Sequence, residues 1–375
     1  MGVSVTTEKA VPARIADIAQ IRELYSRYAA RKVALLGSLV LILVGIGLFA
    51  TATGAAGISV ADVCRVIVGR VAPGLHVVPA SDIAETVVME LRLPRILLAA
   101  LTGLSLAGAG VVMQGILRNP LVCPYTLGLS SGAAFGAALA IILGTGILGP
   151  GFNVMGRYLI VTNAFVFGSL TMVLVYGVAR LKGAVPETLL LAGVAFGYLF
   201  QAGVSALKYI SEHEALKELV VWLMGGLWGA GWDTVSILFP VVLVCLGLLV
   251  RYAWDLNVLG AGEDVAMSLG VNVGRLRLVS LGLATLVSSS TIAFTGIIGF
   301  IGLIAPHICR ILIGGDHRFL IPCACLTGGV LLLLADTLAR IVLAPVEIPV
   351  GIVTSLLGAP FFIYLLLKRK RQWWS

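Results

Sequence analysis

Apolar runs of roughly 17–25 residues recur along this chain with almost no charge inside them. Lipid offers backbone N–H and C=O groups no hydrogen-bond partner, so only helices and closed barrels satisfy them internally. Each run is about long enough, as a helix, to cross a hydrocarbon layer about 30 Å thick. Ten runs can be drawn, at roughly 33–53, 94–117, 128–143, 158–180, 187–207, 234–250, 278–296, 299–313, 320–343 and 350–367. The expected fold is all-α: a polytopic membrane protein with about ten transmembrane helices in one bundle. No Pro- or Ser-rich linker divides the runs. The expected organisation is a cytoplasmic leader over 1–32, a transmembrane domain over 33–367 and a basic cytoplasmic tail over 368–375.

Only 12% of the 375 residues are charged, against about 25% in soluble domains. The net charge of +8 would suit nucleic acid, but the basic residues sit at the ends of apolar runs and form no stripe. No nucleic-acid partner is expected, and membrane topology is the better use of the charge. With both termini on the cytoplasmic side, alternation puts 18 Lys and Arg on inner segments and 8 on outer ones, as the positive-inside rule requires. The first run lacks a signal-peptide cleavage site. The six cysteines (64, 123, 245, 309, 323, 325) form no CxxC pair, so no disulfide framework is expected.

Shorter features lie between and within the runs. Ile15, Ile18, Ile21, Tyr25 and Tyr28 recur at helical spacing, which suits either an amphipathic helix on the inner leaflet or a solvated leader. Outside, 54–91 and 208–233 are too long for tight turns, and Glu212 to Met224 reads as a short surface helix. Its Trp222, with Trp228 and Trp232, suits the interfacial belt. Gly128, Gly132 and Gly136 recur every four residues and are expected to form one flat helix face, as are Gly103, Ala107 and Gly110.

Few residues point to chemistry. His213-Glu214 lacks the second His of a zinc protease, since Lys217 stands there. His307-x-Cys309 and Cys323-x-Cys325 have unspecific spacing and read as packing, so no metal is expected. No Gly-Lys-Ser/Thr phosphate loop occurs, so ATP, if used, is bound by another chain. A membrane hydrolase would need a nucleophile–base pair, and none stands out. Asp336 and Arg340, four apart, can pair along one helix face. Arg92 and Arg95 flank Pro94 on the outer side, against the charge bias, which suits docking of an acidic group as well as interfacial anchoring. Between two apolar runs, the polar island 251–277 suits contact with a partner.

Several ordered motifs carry a resemblance. Arg92-Leu-Pro-Arg95, Gln114-Gly115-x3-Asn119-Pro120-Leu121 and Leu127-Gly128-x2-Ser131-Gly132-Ala133 are similar to the FecCD family of ABC importer permeases. So are Leu223-Met224-Gly225-Gly226, Gly299-Phe300-Ile301-Gly302 through His307, Asp316-His317-Arg318, Leu334-Ala335-Asp336-x3-Arg340 and Pro349-x-Gly351-x2-Thr354 to Pro360. That family includes vitamin B12, ferric-siderophore and haem permeases. The resemblance implies ten helices per subunit and a homodimer with the substrate path at its two-fold axis. It also implies two ATP-binding-cassette ATPases inside, carrying ATP and Mg, an extracytoplasmic substrate-binding protein, and no cofactor in this chain.

By the same resemblance, Arg92, Arg95 and Arg340 meet acids on the binding protein. The 251–277 loop docks on the ATPase through Gly260, Glu263, Asp264, Ala266, Leu269 and Gly270. A short helix from Glu263 to Leu269 ending at Gly270 is expected there. An inner gate falls at Pro186 and Glu187, where the family has small hydroxyl residues, with Thr188 beside them. The expectation is a permease in the cytoplasmic membrane that imports a metal chelate. A self-powered secondary transporter is the alternative, for which Asp336 would be the main coupling-ion candidate.

Overall fold

The computed structural model describes residues 12–54, 57–72, 81–144 and 156–368, and among these residues every regular element is helical. In chain order they are α1 (Pro12–Ala52), α2 (Val60–Val71), α3 (Asp82–Thr86), a π-helical turn (Val87–Arg92) and α4 (Leu93–Leu117). Then follow α5 (Leu129–Leu143), α6 (Arg157–Arg180), α7 (Pro186–Ile210), α8 (His213–Met224), α9 (Trp232–Arg251), α10 (Ala253–Gly260) and α11 (Glu263–Ser268). The chain closes with α12 (Val273–Thr295), α13 (Ile301–Ile313), α14 (His317–Ile341) and α15 (Val350–Lys368). Seven described helices are long and apolar enough to cross a membrane, and α5, α13 and most of α15 are shorter apolar helices. Together they match the ten expected runs. The basic residues at 9 and 369–371 lie outside the described residues.

α4 runs through the middle of the bundle, packed against α14, α12, α13 and α9. Missing side chains put it there. A Cβ on Gly103 would strike the Gly328 carbonyl of α14 and come within 2.7 Å of the Gly329 Cα. A Cβ on Gly110 would strike the Gly302 carbonyl of α13. In lipid no hydrophobic force draws apolar helices together, so this close backbone contact is the main source of adhesion. α12 adds hydroxyls that need no partner helix: Ser288, Ser290, Thr291 and Thr295 each donate to the carbonyl four residues earlier, at 2.7–3.0 Å.

Two expectations change. From Pro12 on, the leader and the first span are one helix, α1, because residues 13–36 contain neither Gly nor Pro to break it. Its 41 residues span about 60 Å, twice the hydrocarbon thickness, so the predicted boundary at residue 32 marks no structural break. Gly128 leaves the predicted glycine face. It is the left-handed N-cap of α5 (φ 80°) and abuts Gly193 and Gly197 of α7. Gly132 and Gly136 pack closely on α6, where a Cβ would strike Thr171 Oγ1 and the Asn163 carbonyl.

Contacts define two faces. Lys32 lies 5.0 Å from the Phe319 ring centroid, so the early part of α1 meets the start of α14 and, through it, α10. The end of α1 meets the end of α14. The Gly103→Leu substitution is expected to lower the thermal unfolding midpoint of the purified protein, at a cost of about 1–3 kcal/mol. Gly282→Ala, at an exposed helical position with nothing within 4 Å, should stay within about 1 kcal/mol of the parent.

Candidate docking, coupling and translocation sites

At one end of the bundle three arginines converge. Asp336 of α14 is fully buried, and Arg95 reaches its Oδ1 with Nε and Nη2 at 3.1 and 2.9 Å. Arg340, one turn on, reaches Oδ2 with Nε at 3.1 Å, which is the predicted i,i+4 pair. Arg95 also gives Nη1 to Glu347 at 2.8 Å. The remaining donors cap a helix. Arg340 donates to the carbonyls of Thr53 and Ala50, and Arg92 to those of Thr51 and Ala52, at 2.7–3.2 Å. The last carbonyls of a helix lack intrahelical partners and carry partial negative charge, so cations are favoured there. Arg92 ends the π turn, whose Met89 carbonyl accepts from Trp232 Nε1 at 2.9 Å.

At the other end sits the 251–277 island. α11 opens after Gly262 (φ 126°), and Gly270 (φ 84°) closes it in the left-handed region, with Val271 N–H donating to the Ala266 carbonyl at 2.9 Å. The helix ends at Ser268, one residue short of the expected Leu269, which serves as its C-cap. Ala266 faces inward, while Val265, Met267 and Leu269 are exposed on this otherwise polar segment. Gly260 closes α10, and Glu263 and Asp264 form the first turn of α11. Glu263 is ion-paired to the buried Arg277 of α12.

A second tie joins α10 to α14. Asn257 Nδ2 donates to Asp316 Oδ1 at 2.8 Å, and Asn257 Oδ1 takes the backbone N–H of His317 and its Nδ1–H at 2.8 and 2.9 Å. Arg318 pairs with Asp316 and lies 4.3 Å from the Trp254 ring centroid. Its hydrogen bonds, against some desolvation and with help from Asn257, hold the Asp316 carboxyl down at about 2.

Between the two ends, a half-open cavity of about 830 Å³ is walled by residues that include Tyr125, Met224, Phe300, Ile352, Leu356 and Pro360. Backbone contacts form its frame. A Cβ on Gly351 would strike the Met224 carbonyl, one on Gly225 would strike the Ile297 carbonyl, and Gly226 N–H donates to Thr295 O at 2.8 Å.

With this geometry described, known proteins provide a comparison. Residues 39–368 match the FecCD transport family. The chain belongs to the FecCD transport family. A Methanocaldococcus jannaschii protein provisionally named an ABC transporter permease is 48% identical over 298 residues, covering 78% of this chain and 84% of that one. The cobalamin import system permease of Halobacterium salinarum is 44% identical over 290 residues, 77% and 75% of the two chains. The molybdate import system permease of Haemophilus influenzae is 37% identical over 338 residues, 90% and 96%. A solved ABC transporter provisionally classed as metal-chelate type, in an inward-facing conformation, superimposes with a TM-score of 0.76 at 37% identity, covering 90% of this chain and 99% of its own.

The FecCD motifs divide among these places. Arg92, Arg95, Asp336 and Arg340 meet at one end, and Asp316-His317-Arg318 at the other. The Met224-Gly225-Gly226, Gly299-Phe300 and Gly351 motifs meet at the cavity. Pro186 opens α7 at N1, Glu187 is exposed in its first turn and Thr188 follows; none of the three walls the cavity. The His307/Cys309 and Cys323/Cys325 pairs lie in α13 and α14, where Cys309 Sγ is 3.1 Å from Thr327 Oγ1. No group of three or more His, Cys, Asp or Glu is placed to hold a metal among the described residues.

Sequence reasoning missed Glu347 and Asn257, and it marked Met224, Phe300 and Pro360 only as family motifs without foreseeing that they wall one cavity. Glu347 and Asn257 meet partners 252 and 59 residues away, beyond any local spacing rule. A carboxyl depressed below its unfolded range stabilises above that range and loses its contribution as pH falls through the folded value. The gap in thermal midpoint between the parent and Asp316→Asn is therefore expected to hold steady from pH 7 to 5 and to close as pH falls from about 4 towards 2.

Proposed function

We propose that this chain is the membrane-spanning permease subunit of an ATP-driven importer that carries a metal chelate inward. Two such chains form a homodimer, with the cavity wall of each facing the shared two-fold axis. Two ATPase subunits dock on the α10–α11 island, and a substrate-binding protein docks on the arginine cluster. The observation that carries this reading is the pairing of an apolar helical surface at one end with a cationic cluster at the other, in a chain without a phosphate loop. The island lies on the cytoplasmic side of the inner membrane, as do both termini, and the distribution of basic residues supports this orientation.

ATP does its work outside this chain. Closing the ATPases moves α11, and the Glu263–Arg277 and Asn257–Asp316 ties pass the displacement to α12 and α14. The two access states then differ in energy because α11 meets closed and open ATPases differently. An inner gate lies at the N-terminal turn of α7, Pro186 to Thr188, where Glu187 stands in place of a small hydroxyl. A secondary transporter is disfavoured because its coupling-ion candidate, Asp336, is taken by Arg95 and Arg340. Cargo follows the metal-chelate type of the structural relative and the cobalamin permease of the archaeal one.

The test is uptake into proteoliposomes holding this chain, its ATPase and its binding protein, with cobalamin, a ferric siderophore, haem and molybdate compared. ATP-dependent uptake of one chelate is expected; uptake that persists with a hydrolysis-dead ATPase, or of molybdate alone, would overturn the reading. Leu269→Asp should reduce co-purification of the ATPase, with binding-protein affinity as the control. Arg92→Glu with Arg95→Glu should weaken binding-protein affinity more than tenfold, and unchanged affinity would remove the docking role.

A further inference from the structure

Resting on that docking role, we propose that Glu347 is an internal competitor for Arg95, filling the place that an acidic side chain of the extracytoplasmic partner must take. The Arg95 guanidinium has little to spare. Nε and Nη2 face Asp336, and Nη1 faces Glu347. An incoming carboxylate reaches this fork by displacing one of the two acids.

The two acids are not equally displaceable. Asp336 is fully buried and shared between two arginines whose side chains are only 15% and 11% exposed. Removing it would leave buried cations unpaired, which is strongly unfavourable. Glu347 is 38% exposed, is ion-paired to Arg95, and sits on the connection between α14 and α15. Half-exposed pairs of this kind hold weakly. Water and a partner therefore reach Arg95 from the Glu347 side.

Charge sets the direction of the exchange. The cluster holds three arginines and two carboxylates, and no carboxylate pairs with Arg92 among the described residues. The cluster carries net positive charge with Glu347 in place and more once Glu347 swings away. A tethered competitor acts at an effective concentration near the millimolar range, so it weakens docking without blocking it. Fast release suits a partner that must leave to collect new cargo.

The experiment measures docking of the binding protein to the permease–ATPase complex in lipid nanodiscs at low and high salt. Glu347→Gln is expected to tighten docking about threefold to tenfold, mainly through slower release, with the gain shrinking at high salt. Glu347→Asp keeps the charge but shortens the reach, and should fall between parent and Glu347→Gln. Parent-like or weaker docking by both variants would overturn the competitor role. If Arg92→Glu with Arg95→Glu weakens docking while neither Glu347 variant tightens it, only this inference fails. If the arginine variant also docks like the parent, the docking role itself fails.

Discussion

The structure depends on α4 touching its neighbours backbone to backbone. A helix in the middle of a membrane bundle gains nothing by exchanging lipid for another apolar surface, so it stays there only if close contact outweighs what lipid offers. Gly103 against Gly328 and Gly110 against Gly302 provide that closeness on two sides. α13 and α14 are thereby held in fixed relation to α4, and the residues at both ends of α14 inherit their positions from it. The same device recurs around the cavity, where Gly225 and Gly351 let the ends of α8, α12 and α15 meet without side chains between them.

Charge inside such a bundle is tolerated where it is shared. Asp336 would be costly alone, and so would Arg95 or Arg340. Grouped at one end of the bundle and completed by the carbonyls that end α1, they offset one another in part and close a helix terminus. The opposite end uses the same logic with a lighter hand: Asp316, Arg318, Asn257 and the Trp254 face form a tie that water can still reach. Both ends of α14, about 37 Å apart, are therefore fixed to other elements by polar contacts, while its middle is held by packing.

Lipid made most of the fold legible in the sequence. Each span had to be a long apolar run, and each of the ten drawn from sequence falls on a helix, with close agreement at most ends except the start of α1, which begins 21 residues before the first run. Arg92 and Arg95 stood out because they broke a charge bias, Arg340 through its spacing from Asp336 and the family motif, and α11 through the polar island and the family resemblance. What escaped notice depended on long-range placement. Gly128 fitted a four-residue repeat, yet it caps α5, since periodicity alone does not show where a helix begins. Arg92 suggested an acidic partner, but within this chain it faces carbonyls, which sequence does not mark. Glu347 and the frame of the cavity arise from segments brought together only by the finished bundle.

The capping of α1 bears on how the protein is made. α1 is synthesised long before its principal neighbour, α14. The carbonyls at its end receive Arg340 from as far as 290 residues downstream. At roughly 5–20 residues per second, translation takes about 15 s to 1 min to cover that distance. Thr51 and Ala52 receive Arg92 only 40–41 residues on, whereas the Ala50 and Thr53 carbonyls wait for Arg340. Little of the apolar stretch of α1 is buried even in the finished protein, with 6% of the window inside the bundle. A stretch apolar on every side can wait in that way, and assembly closes on a segment made long before its partner.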